Sequence, residues 1–258
     1  MKNAKILIYD GSFNGFLTCV FTAFNEKIEV VAMQKETNAQ RGLFSEAEFI
    51  CTNIDKAKRV WDGIQNKSNA AIKNIYFAFL SETKNIELLL YRYIQKLFSK
   101  TEMIHLNFSD DTVLRIGQIA KSVGREKQRM EAFVRFQHTH DDIYFSTISP
   151  DFDVLPLISK HFKDRYADQQ WLIYDVKRNY GIYYNFQTVE MVTLDLKDDY
   201  GNSLNKNAAF TLTEYNYQDL WNDYFKSTNI KSRINLKLHT QHVPKRYWKY
   251  LSDEKQAV

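Results

Sequence analysis

The candidate chemistry of this chain rests on a few charged side chains at positions that usually hold neutral ones. His161 and Arg165 fall with Val154, Leu157, Ile158 and Phe162 on one side of a helix expected over residues 153–166. A charge inside an apolar stripe needs an anionic partner or a ligand. Arg165 is therefore expected to be mostly buried, as a phosphate or carboxylate clamp on a cleft floor. The alternative is that it reaches round the last turn to the helix's free carbonyls. Asp175 and Arg178 flank Val176-Lys177 at a hairpin tip, where Asp175 suits a general base, a metal ligand or an ordinary turn aspartate. Asp10-Gly11-Ser12 sits between a strand and a helix, a place where a helix N-terminus can take an anion. Combined, these residues describe a hydrolase on damaged or modified nucleic acid. Asp10 or Asp175 would be the base, and His161 with Arg165 the acid and oxyanion clamp. That reading requires them to converge within a few Å.

A second constellation is electrostatic. Residues 229–251 contain Lys231, Arg233, Lys237, Lys245, Arg246 and Lys249 and no acid. The chain's formal charge is +4 and this stretch carries +6, leaving −2 for the rest. Tyr247, Trp248 and Tyr250 are threaded through the cations. Basic residues interleaved with aromatics suit a polyanion with stackable faces, which is nucleic acid. Lys237, Lys245, Arg246, Tyr247 and Trp248 are the expected contact set, with Arg135, Arg165 and Arg178 as a second. The structural alternative makes the aromatics anchors that dock the segment on the body. Residues 115–135 hold six further basic residues, Arg115, Lys121, Arg125, Lys127, Arg129 and Arg135, against two acids, Glu126 and Glu131. That is a second phosphate-facing surface or the solvated face of a helix.

Other classes are disfavoured. Cys19 and Cys51 are the only cysteines, so neither a disulfide framework nor a cysteine-rich metal site is available. His239 and His242 share a spacing but lack a nearby Cys or carboxylate, so no metal is expected. No Walker A loop, GxGxxG, HExxH, G-x-S-x-G or paired-carboxylate motif occurs, and no cofactor is expected. The start of the chain is too short and polar for a signal peptide, and no apolar run is long enough to span a membrane, which points to a cytoplasmic protein.

The elements positioning these residues read as α+β. Residues 5–9 form a buried strand, and Ser12 caps the helix carrying Phe13, Phe16, Leu17, Val20, Phe21 and Phe24. Residues 29–33 suit a second strand. Helices start at Thr52 or Asn53, at Ser68 and near Asn85, and Asp110 caps another. Alternation over residues 131–137 and 143–148 predicts a hairpin, Asp151 or Asp153 opens the helix to about residue 166, and residues 171–176, 181–186 and 188–194 continue an antiparallel sheet. A last helix is expected over residues 214–226. The divisions are 1–109, mostly helical; 110–228, an antiparallel sheet (hairpin–helix–hairpin) plus helices; and 229–258, the basic segment; one compact domain overall is the alternative. Segregated strands and helices favour α+β over a doubly wound sheet.

Several of these pieces together resemble an uncharacterised bacterial family linked to DNA metabolism and repair. They are Tyr9-Asp10-Gly11-Ser12-Phe13 with Gly15, Phe133-Val134-Arg135-Phe136, His161-Phe162-Lys163-Asp164-Arg165, Trp171-Leu172-Ile173-Tyr174-Asp175 with Lys177-Arg178, and Pro244 through Leu251. The resemblance implies a DNA partner, single-stranded DNA included, and a radical S-adenosylmethionine (radical SAM) protein partner. Some members of that family carry a fused uracil-DNA glycosylase domain, which would make such a glycosylase a further partner. The chain has no CxxxCxxC cluster, so it would be the partner of the radical enzyme. The expected function is thus a nucleic-acid-binding accessory protein in DNA repair or modification. The rivals are the hydrolase above and a protein-interaction scaffold whose basic tail docks an acidic partner.

Overall fold

The computed structural model describes residues 4–38, 46–99, 107–193, 217, 220 and 236–251. The expected last helix and the loop over residues 198–207 fall almost wholly outside them. The chain is mixed helix and strand, in two compact units, residues 1–125 and 126–258.

In the first unit a three-stranded parallel sheet has the order β2-β1-β3, formed by β1 (Ala4–Tyr9), β2 (Glu29–Lys35) and β3 (Glu46–Phe49). Ile6, Leu7, Ile8 and Tyr9 are all buried, as a central parallel strand covered on both faces requires. The third strand was not expected. Its Glu-Ala-Glu-Phe sequence has no apolar run, because an edge strand buries little; pairing with β1 alone defines it. Helix α1 (Phe13–Asn25) connects β1 to β2, with the Ser12 hydroxyl accepting from the Gly15 amide at 2.9 Å. Helices α2 (Ile54–Lys67), α3 (Asn69–Phe79) and α4 (Ile86–Ser99) follow. Asn53 and Ser68 cap α2 and α3 as expected. Phe13 holds this layer together, its ring 5.0 Å from Tyr76 and 5.1 Å from Phe79.

Helix α5 (Asp111–Phe133) is 23 residues long, and the division between the units falls within it. Asp110 caps it, accepting from the Thr112 amide at 2.9 Å while pairing with Lys96 at 2.7 Å. Val113, Ile116, Ile119, Ala120, Val123 and Met130 are its buried side. This helix overruns the strand expected over residues 131–137. The alternation there was a short sample of a 3.6-residue period, continued by Met130 and Val134 and braced by the Lys127–Glu131 pair one turn apart.

The second unit contains one five-stranded sheet of order β4-β5-β6-β7-β8: β4 (Gln137–His138), β5 (Tyr144–Ile148), β6 (Trp171–Asp175), β7 (Tyr180–Tyr184) and β8 (Val189–Val192). A single sheet was expected, but it is mixed and not antiparallel. β5 and β6 run parallel, Tyr144 opposite Trp171 through Ile148 opposite Asp175, while the other three pairings are antiparallel. The cause is α6 (Leu155–Arg165) between them. A helical crossover returns the chain to the end where the first strand began, so the next strand repeats its direction. Helix α6 begins at Leu155 with no side-chain cap, and neither Asp151 nor Asp153 opens it. Both serve other contacts, and a proline in its first turn supplies the helical φ.

Candidate nucleic-acid interface

The sheet of the second unit sorts the candidate residues by its two ends. Helix α6 runs back along the parallel pair, so His161 and Arg165 lie toward the start of β6, whereas Asp175 terminates it. Five strand residues separate those ends by roughly 13 Å. Asp10 belongs to the first unit. The hydrolase arrangement therefore has no convergence of His161, Arg165 and Asp175.

Each of these side chains has a local explanation. Arg165 is exposed, and its guanidinium lies 5.7 Å over the ring of its neighbour Tyr166. The expectation of a buried clamp is overturned. The buried stripe of α6 comprises Val154, Leu155, Ile158 and Phe162, which leaves His161 at its margin. Arg165 is the helix's last residue, where a long side chain reaches water. His161 is exposed, with Nδ1 3.9 Å from the Glu131 carboxylate. Asp175 is fully buried and satisfied: it accepts from the amides of Lys177 and Arg178 at 2.9 and 3.3 Å and from the Arg178 guanidinium at 2.8 Å. Arg178 also donates to the carbonyls of Pro150 and Asp151, at 3.2 and 3.1 Å, tying the ends of β5 and β6 together. Asp175 is thus a turn aspartate with an ion pair. Arg135, also exposed, donates to the Ala132 carbonyl at 2.7 Å and closes the end of α5.

Asp10 follows the central strand β1. One oxygen accepts the Ser12 amide and hydroxyl at 2.9 and 2.7 Å, and the other accepts the Thr52 hydroxyl at 2.8 Å. Partial burial opposes its ionisation, yet the Ser12 and Thr52 bonds hold the carboxyl below its ordinary range. A Cβ on Gly15 would lie 2.2 Å from Asp10 Oδ1, so this position admits only glycine.

Within the described residues the basic segment holds a helix, Leu236–His242, and a 3-10 helix, Lys245–Tyr250, while Lys231 and Arg233 lie outside them. Tyr247, Trp248 and Leu251 are buried, while Lys245, Arg246 and Lys249 face out. The Trp248 indole donates to the Val243 carbonyl at 3.0 Å, and Tyr247 packs 5.5 Å from Phe133. Neither ring presents a face on which a base could stack; they are anchors.

Sequence reasoning missed the residue that receives this anchor. Glu126 on α5 is 1% exposed and collects the Tyr247 hydroxyl, the Asp151 amide at 3.0 Å and the Arg246 guanidinium at 3.1 Å. Arg246 pairs as well with Asp151 at 2.7 Å. Asp153 accepts a short hydrogen bond from the Tyr180 hydroxyl, whose pKa is pushed well up by burial and by that carboxylate. The available signal for Glu126 was its place on the helix's apolar side, among Val123 and Met130. Arg246 is thereby committed to an internal network. Lys237, Lys245 and Lys249 stay exposed and in no ion pair among the described residues, with Lys245 and Lys249 lying over the rings of Trp248 and Tyr250.

No group of three or more potential metal ligands occurs among the described residues, and no helix there is long and apolar enough to cross a membrane. Comparison with curated proteins and with solved structures gives no match. Residues 84–253, well over half of the chain, match the family model described as a domain of unknown function (DUF4130), and the chain belongs to that family.

Proposed function

We propose that this protein binds nucleic acid through phosphate contacts, as an accessory factor in DNA repair or modification that works beside a radical SAM protein. The observation carrying the proposal is the state of the basic segment once its internal pairs are counted. Arg246 is consumed by Glu126 and Asp151, yet Lys237, Lys245 and Lys249 remain solvent-facing without a carboxylate among the described residues. Cations held outward by buried anchors are suited to a polyanion. The radical SAM partner and the repair context come from the sequence resemblance and not from geometry. With Tyr247 and Trp248 buried, contact is through charge and not base stacking.

The test is a salt titration of DNA affinity on the intact chain. Lys237→Gln/Lys245→Gln/Lys249→Gln should reduce the slope of log affinity against log salt by about 0.9 per lost contact on duplex and 0.7 on single strands. An unchanged slope would remove the basic segment as the contact surface.

A further inference from the structure

Resting on that nucleic-acid reading, we propose that the solvent face of α5 is a second contact surface, specific for the backbone of duplex nucleic acid. Arg115, Gln118, Lys121 and Arg125 are exposed or half-buried along one side of the helix, within about a third of its circumference at 100° per residue. The opposite side, Val113, Ile116, Ile119, Ala120 and Val123, is buried. Packing therefore fixes which way the cations point. Among the described residues no ion pair engages Arg115, Lys121 or Arg125; Arg125 donates only to the Ser122 hydroxyl within the same face, at 3.2 Å. Asp111 bounds the stripe one turn before Arg115, and between Arg115 and Arg125 the helix has no acid.

Spacing and composition choose the form of nucleic acid. Ten residues of helix span roughly 15 Å. One strand of a duplex presents a phosphate about every 3.4 Å of axis while winding round it, so a straight span of that length meets about two or three phosphates of one strand, which three cations can match. Between Arg115 and Arg125 the exposed positions hold no aromatic side chain. Proteins that hold single strands add stacking platforms to their charge; this arc holds the three cations, Gln118 and the exposed aliphatic Leu114, and the exposed ring nearby, Phe108, lies beside Gly117 at its margin. A straight, rigid row of cations with no aromatic among its own positions fits a duplex backbone, whose bases are already stacked internally.

The experiment uses the full chain with Arg115→Gln/Lys121→Gln/Arg125→Gln, titrated across salt against a short DNA duplex and a single strand of equal length. The duplex slope should fall by up to about 2.7, three contacts at 0.9 each, while the single-strand slope changes by less than one contact's worth. The melting temperature should be unchanged, since all three side chains are solvent-facing. An unchanged duplex slope overturns the proposal while leaving the basic segment's role intact. An equal loss on both probes overturns the duplex assignment. Salt-independent or undetectable binding by the wild type removes the nucleic-acid reading altogether, and this surface with it.

Discussion

Removing the Glu126 carboxylate should release the C-terminal segment from the body of the second unit. In Glu126→Ala four donors lose their buried acceptor at once: the Tyr247 hydroxyl, the Asp151 amide and the Arg246 and Arg129 guanidinium groups. Breaking one side of a buried charged network costs about 3–5 kcal/mol. Glu126→Gln keeps an oxygen for Tyr247 and Asp151 and loses the charge facing Arg246 and Arg129, so about 1–3 kcal/mol is expected. Tyr247→Phe loses one hydrogen bond while retaining the packing on Phe133, with a similar cost of about 1–2 kcal/mol. Because both substitutions touch the same bond, the double variant should be less destabilised than the sum, with a coupling of about 0.5–1.5 kcal/mol. Urea unfolding followed by tryptophan fluorescence suits the measurement, since Trp171, Trp221 and Trp248 all fall in residues 126–258. Limited proteolysis adds a local readout: Glu126→Ala should speed cleavage after Lys245, Arg246 or Lys249. Stability within about 0.5 kcal/mol of wild type together with an unchanged cleavage rate would mean that Glu126 does not hold the C-terminal segment and that the network is solvent-compensated.

Arg178→Ala should destabilise the second unit by about 3–5 kcal/mol, because it strands the buried Asp175 carboxylate; Arg165→Ala should stay within about 0.5 kcal/mol, and urea midpoints of the two compare them directly. Trp248→Ala should cost about 3–5 kcal/mol in stability through lost packing and leave the salt slope of any DNA binding unchanged. Native protein should react with a thiol reagent at Cys51 only, since Cys19 is buried and its thiol pKa is pushed up to about 12 by that burial and by Asp10; labelling before and after denaturation counts the sites. Lys96 and the first amides of α5 hold the Asp110 carboxyl below its ordinary value near 3.8. Its contribution is therefore complete above that value and is lost as pH falls through the lower folded pKa, so the melting difference between wild type and Asp110→Asn should shrink in that acid range.

Local signals were legible in the sequence, and long-range ones were not. Ser12, Asn53, Ser68 and Asp110 were identifiable as caps because a cap acts within three residues of itself. The turn at residues 139–142 likewise followed from its own composition, with Asp142 at a φ of +58°. β3 was invisible because two glutamates in a four-residue edge strand carry no pattern. The direction of β6 was misjudged because alternation within a strand carries no direction; the expected helix between β5 and β6 was itself the signal for a parallel crossover. Arg165 was misplaced for a geometric reason: a helical wheel treats all turns alike, whereas the last turn of α6 opens to water. In the basic segment, counting charge gave the correct composition but could not reveal that Glu126, more than a hundred residues earlier, takes up Arg246 and Tyr247.

Contact with nucleic acid through outward-facing cations is tested most directly by wild-type affinity for DNA across a range of salt concentrations. Log affinity against log salt should follow a straight line with a negative slope, which becomes shallower when Lys237, Lys245 and Lys249 are replaced by glutamine. Affinity that is absent, or that does not change with salt, would contradict it.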